Sequence, residues 1–128
     1  MTFTGKILLV DDEVHIRKFV SLILKQLGRP VIIEASNGED ALVIYQAEKP
    51  DFVLLDVNMP RMDGIETLRK LKELDSGCRV IMLTSLANRE TVERALELGA
   101  LNYIRKDTPK EEIAQSLAEC IKPTSDTV

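Results

Sequence analysis

Short apolar runs recur along this chain, and a longer stretch with helical spacing follows each of them. Ile7-Leu8-Leu9-Val10, Phe52-Val53-Leu54-Leu55 and Val80-Ile81-Met82-Leu83 show no polar alternation and read as buried strands. Buried strands alternating with helices are the pattern of βαβ units around a parallel sheet. The 128 residues suit one such domain, which at that size buries roughly two-thirds of the surface its unfolded chain exposes.

The first strand spans about Lys6 to Val10. A helix follows from Glu13 to Leu27, with Ile16, Phe19, Ile23 and Leu27 on one face, and Gly28 stops it. Val31 to Ile33 reads as the second strand, Asn37-Gly38 as a turn, and Glu39 to Glu48 as the second helix with Ala41, Leu42 and Tyr45 inward. Pro50 closes that helix before the third strand, Asp51 to Leu55. The third helix is expected over Ile65 to Leu74, and Ser76-Gly77 forms a turn. Val80 to Leu83 is the fourth strand; Asn88 then caps a helix that runs to Leu98 and ends at Gly99. Leu101 to Ile104 is the fifth strand. Thr108, Pro109 and Glu111 read as an N-cap, a first-turn proline and a capping-box acid, so a last helix runs from Pro109 to Ile121. Residues 1–122 form the domain and Pro123 to Val128 a polar tail. The whole is a doubly wound α/β sandwich.

A net charge of −4 argues against a broad nucleic-acid footprint. Cys78 and Cys120 form no CxxC pair, so they read as reduced thiols rather than as a zinc or redox motif. The apolar run near the N-terminus is too short for a signal peptide or membrane span, and cytoplasmic residence is the expectation.

Polar residues sit where the strands end. Asp11-Asp12 follows the first, Asp56 the third, Thr84-Ser85 the fourth and Lys106 the fifth, whereas the second offers only Glu34-Ala35-Ser36 and is placed away from the site. Right-handed crossovers bring parallel strand ends to one edge of the sheet, where open α/β folds bind ligands. Carboxylates gathered there repel one another unless protonated or neutralised by a cation. An all-oxygen set points to a hard ion such as Mg²⁺. Lys106 adds a positive charge suited to a phosphoryl group and Thr84 a hydroxyl. Together these are parts for phosphoryl transfer onto Asp56.

The motifs Leu9-Val10-Asp11-Asp12, Asn37-Gly38, Asp56 through Pro60, Asp63-Gly64, Thr84-Ser85, Gly99-Ala100 and Tyr103 with Lys106 occur in order from Lys6 to Ile121. In this the chain resembles the receiver domains of two-component response regulators. The resemblance implies a flavodoxin-like fold with strand order 2-1-3-4-5, an order taken from the family and not from the residues. It implies that Asp56 accepts a phosphoryl group from a sensor histidine kinase or histidine phosphotransfer protein. Asp12 and Asp56 would ligate Mg²⁺ (or Mn²⁺) directly, Asn58 through its backbone carbonyl and Asp11 largely through water. Lys106 would pair with the phosphoryl oxygens, Thr84 would turn toward them, and Tyr103 would swing inward to change the surface of helix 4, strand 5 and helix 5. Asn58 and Leu86 would tune the phosphoryl lifetime. Catalysis would extend only to the chain's own phosphorylation and dephosphorylation. A downstream protein or fused output domain would read the switch, and a phosphorylation-dependent homodimer is compatible with it. One departure is Lys106-Asp107, where receivers commonly have proline; a non-proline cis bond costs about 2.5–4 kcal/mol, so the usual support for a cis peptide is missing.

The same residues admit other readings. Asp56 alone could be a turn residue, Asp11-Asp12 a helix-capping pair, Thr84 a strand residue, Lys106 a solvated charge and Tyr103 a static packing aromatic. His15 reads as inert. A haloacid-dehalogenase-type phosphohydrolase would place a second aspartate two positions after the first, where Asn58 stands. A flavin binder would need a Ser/Thr-rich phosphate loop after the first strand. A phosphorylation-independent receiver acting only as an interaction domain is the main alternative.

Overall fold

The computed structural model describes residues 4–85 and 88–121. Leu86 and the tail from Pro123 therefore lie outside the described residues. In chain order the elements are β1 (Lys6–Val10), α1 (Val14–Leu27), β2 (Val31–Ala35), α2 (Gly38–Glu48), β3 (Phe52–Leu55), α3 (Gly64–Leu74), β4 (Val80–Thr84), α4 (Arg89–Glu97), β5 (Asn102–Arg105) and α5 (Lys110–Cys120). The strands form one sheet in the order β2-β1-β3-β4-β5, and every pair is parallel.

Successive strand residues feed two separate cores because side chains alternate across a sheet. Leu8, Val10, Val53, Leu55, Val80 and Met82 face α2, α3 and α4, where Ala41, Tyr45, Leu68, Leu71 and Ala95 meet them. Ile7, Leu9, Phe52, Leu54, Ile81 and Leu83 face α1 and α5, against Val20, Ile23, Leu24, Ile113 and Leu117. Burying one such aliphatic side chain stabilises by about 1.5–3 kcal/mol. That explains why β1 from Ile7, β3 throughout and β4 up to Leu83 contain only apolar residues, Thr84 being the one buried polar residue at the end of β4.

Side-chain caps define three helix starts. Asn37 accepts from the Asp40 N–H at 2.8 Å, Asp63 from Glu66 at 2.9 Å and Asn88 from Thr91 at 2.8 Å. Asn88 thus caps α4 as expected, and Asn37 is a cap as well as part of a turn. Gly99, at φ 102, supplies the left-handed residue that ends the α4 segment.

Two local expectations are corrected, those for Phe19 and Thr108. Phe19 is 39 % exposed; the inward arc of α1 runs through Ile16, Val20, Ile23, Leu24 and Leu27, and Phe19 stands on its flank. Gly28 stops α1 after Leu27 as expected, in an extended conformation at φ 165. Thr108 donates its hydroxyl to the Arg105 carbonyl at 2.7 Å instead of capping α5, which begins after Pro109 with no side-chain cap. No cis peptide occurs among the described residues, so the Lys106–Asp107 bond is trans.

The depth of Leu54 against the exposure of Phe19 yields a direct check. Leu54→Ala is expected to cost about 2–5 kcal/mol in urea unfolding, whereas Phe19→Ala should cost well under half of that. Equal losses would contradict the observed rotation of α1.

Candidate functional site

Three polar residues sit one position beyond the ends of their strands, each pinned by a backbone bond to the neighbouring strand. The Asp11 N–H donates to the Ala35 carbonyl at 3.1 Å, that of Asp56 to Val10 at 3.0 Å and that of Lys106 to Thr84 at 3.0 Å. Each residue therefore inherits its position from the ladder, and its side chain leaves the sheet at the same edge. The loop after Asp56 is held equally firmly. Gly64 N–H donates to the Val57 carbonyl at 2.8 Å, and any Cβ at Gly64 would collide with the Asp56 carbonyl and the Val57 backbone. Arg61, at φ 66, reaches Glu39 at 3.4 Å, so this loop also rests on the start of α2.

Lys106 is the hub. Its Nζ lies 2.5 Å from Asp11 Oδ2 and 3.2 Å from Asp56 Oδ2. Both carboxylates are buried, as is Thr84 at the end of β4, while Asp12 is exposed at the mouth. Asp11 Oδ1 accepts the Glu13 N–H at 2.9 Å, and Asp56 Oδ1 accepts a longer bond from Asn58 N–H at 3.4 Å. Asp11, Asp12 and Asp56 each offer an oxygen within 4.8 Å of the others, a set able to hold a cation. Tyr103 on β5 is half-buried and packs against the α2–α4 core.

Burial pushes the Asp11 carboxyl above its ordinary range; Lys106 and the Glu13 N–H oppose the rise, and the Asp56 charge adds to it. Burial alone would lower the Lys106 ammonium, but the Asp11 hydrogen bond and the Asp56 and Asp11 charges outweigh it, so Lys106 is raised. Burial, then the Asp56 charge, raises the Tyr103 hydroxyl. A raised lysine contributes stability that is complete at neutral pH and is lost as pH climbs through the raised value. A raised carboxylate stabilises only while protonated, so near neutrality Asp11 depends on its ammonium partner.

The structure therefore brings together Asp11, Asp12, Asp56 and Lys106, with Thr84 one strand away, as the strand ends implied. Glu34, placed away from the site in the sequence reading, is linked to it through Arg17, which sequence reasoning passed over. Arg17 Nη1 donates to the Asp11 carbonyl and its Nε to Glu34, both at 2.7 Å. A signal was present, since Arg17 shares a helical face with Val20 and Leu24, both buried. His15 is exposed, 3.8 Å from Glu13, and stands apart from the cluster. Cys78 and Cys120 are unbridged, Cys78 being buried and Cys120 partly so.

A family model described as the response regulator receiver domain matches residues 7–118. The chemotaxis protein CheY of Treponema pallidum is 36 % identical over 119 residues, covering 91 % of this chain and 83 % of that protein. Sporulation initiation phosphotransferase F of Bacillus subtilis is 38 % identical over 112 residues, covering 88 % and 90 %. Among solved structures, a chain of the CheX-CheY-BeF3-Mg complex from Borrelia burgdorferi matches with a TM-score of 0.85 at 32 % identity, covering 92 % of this chain and 90 % of that one.

The hub role of Lys106 has a measurable signature. In Lys106→Met only the Glu13 N–H still opposes the burial of Asp11 and the charge of Asp56, so Asp11 rises further and the fold is expected to gain stability on mild acidification from neutral pH. Urea unfolding at two pH values checks this; a variant whose response to pH matches that of the wild type would contradict the coupling.

Proposed function

This chain belongs to the response regulator receiver domain family of two-component signalling, and on that premise we propose that Asp56 is its phosphoacceptor. The observation that carries the reading is the Lys106 ammonium held between two buried carboxylates from different strands, with a third carboxylate at the mouth. In the proposed step an Asp56 carboxylate oxygen attacks the phosphorus of a phosphohistidine on a histidine kinase or phosphotransfer protein. The O–P bond forms as the P–N bond breaks, and the donor imidazole leaves.

Lys106 lies within reach of Asp56 and would pair with the phosphoryl oxygens that replace its present partner. The all-oxygen donor set, one member solvent-exposed, fits Mg²⁺, which keeps some of its waters and suits phosphate oxygens. Asp12 and Asp56 would hold it, with the Asn58 backbone carbonyl, and Asp11 would act through water. When bound, the ion supplies charge neutralisation at the reacting oxygens. The protein itself catalyses nothing beyond its own phosphorylation and dephosphorylation in this reading.

The switch is proposed to follow from Thr84 and Tyr103. Thr84 sits buried on the strand beside Asp56, and the Tyr103 hydroxyl already feels the Asp56 charge. Moving a switch from 1:99 to 99:1 takes about 5.5 kcal/mol, whereas one hydroxyl hydrogen bond contributes about 0.5–1.5 kcal/mol. Lys106 and the cation must supply the difference. The change would be read on the surface of α4, β5 and α5 by a downstream protein or fused output domain. Asn58, whose N–H meets Asp56, is proposed to tune the phosphoryl lifetime together with Leu86. Residence in the cytoplasm accords with this partner; no helix of the described residues is long and apolar enough to cross a membrane.

Radiolabelled acetyl phosphate tests the assignment. Wild type is expected to label with Mg²⁺ and not with EDTA, and Asp56→Asn is expected to fall to background. Labelling of Asp56→Asn at the wild-type level would overturn the reading.

A further inference from the structure

Strand β1 ends at Val10, and the Asp11 N–H makes the last ladder bond to β2. The chain of β2 turns away after Ala35 to begin α2, so the Asp11 carbonyl lies beyond the ladder. The Arg17 guanidinium fills that place: Nη1 donates to the Asp11 carbonyl at 2.7 Å while Nε is held by Glu34 at 2.7 Å. Its side chain is only 15 % exposed, so one planar fork ties α1, the end of β1 and the end of β2.

The Asp11 carbonyl and the Asp12 N–H belong to one rigid peptide unit. Orienting that carbonyl orients the direction in which Asp12 leaves the backbone. Asp11 is fixed through its side chain by Glu13 and Lys106, but among the described residues none donates a hydrogen bond to the Asp12 carboxylate. Its aim therefore depends on the backbone. We infer that Arg17 is a positioning residue that aims Asp12 at the cation site through the Asp11–Asp12 peptide, and that Glu34 keeps the guanidinium away from the carboxylates it would otherwise neutralise. This rests on the Mg²⁺ reading above and adds to it the residues that set the ion's affinity.

The sign of the effect separates positioning from simple charge. On Coulomb grounds alone, deleting a cation that bonds the Asp11 backbone near the acidic cluster tightens Mg²⁺ binding. A positioning role weakens it, and loss of an outer support for a metal ligand typically costs about 10–100-fold in affinity. Calorimetric titration of Mg²⁺ into the full chain at fixed ionic strength, with thermal unfolding in EDTA as the measure of fold, distinguishes the two. Arg17→Met is expected to weaken binding about tenfold with little change in the EDTA melting temperature. Arg17→Lys, which keeps the charge but serves only one partner, should fall between. Affinity equal to or tighter than wild type in a folded Arg17→Met overturns the inference. If Arg17→Met does not fold, Arg17→Lys decides: with the charge kept, weaker binding follows from lost positioning, and affinity equal to wild type overturns the inference. Absence of Mg²⁺ binding by the wild type would instead remove the cation reading, and this inference with it.

Discussion

The ammonium of Lys106 makes the rest of this arrangement tolerable. A parallel sheet with right-handed crossovers brings all its carboxyl-terminal strand ends to one edge, and here two of those ends place buried carboxylates side by side. Without a cation between them, one would have to take up a proton. The lysine reaches them from β5, two strands away from β3 in the sheet, which sits between β1 and β4. Neutralisation of the site is therefore a property of the assembled sheet and of no local segment. Asp11, Asp56 and Lys106 are far apart in sequence and converge only when the ladder is complete.

The same ladder explains the tolerance of a polar edge on a small domain. Both faces of the central strands are sealed, one by α2, α3 and α4 and the other by α1 and α5. The stability held in those two cores is independent of the polar edge, so the carboxylates need not contribute to it. Gly64 shows how tightly the two regions meet: α3 starts against the backbone of the proposed acceptor with no room for a side chain.

Most of the fold and the site were legible because strand-terminal chemistry is adjacent, in sequence, to the apolar run that positions it. Asp11, Asp56 and Lys106 each stand one residue past their strands, so reading the strands located the residues. Strand order came from family resemblance, since nothing local encodes which strands are neighbours. The misses lay where tertiary contact overrides local pattern. Phe19 follows the helical period as well as Val20 does, and only the packing against the sheet decides between them. Thr108 has the right chemistry for a cap but satisfies the Arg105 carbonyl instead. Arg17 was overlooked because its partners are a backbone carbonyl and a residue on another strand, neither visible from spacing alone.

The turns at the opposite edge of the sheet, among them Gly28 to Pro30, Lys49-Pro50 and Gly77, lie far from the acidic cluster along every strand. The acidic cluster and these helix-to-strand turns thus occupy opposite rims of one molecule. A change of length or charge in those turns therefore touches no residue that the acidic edge uses.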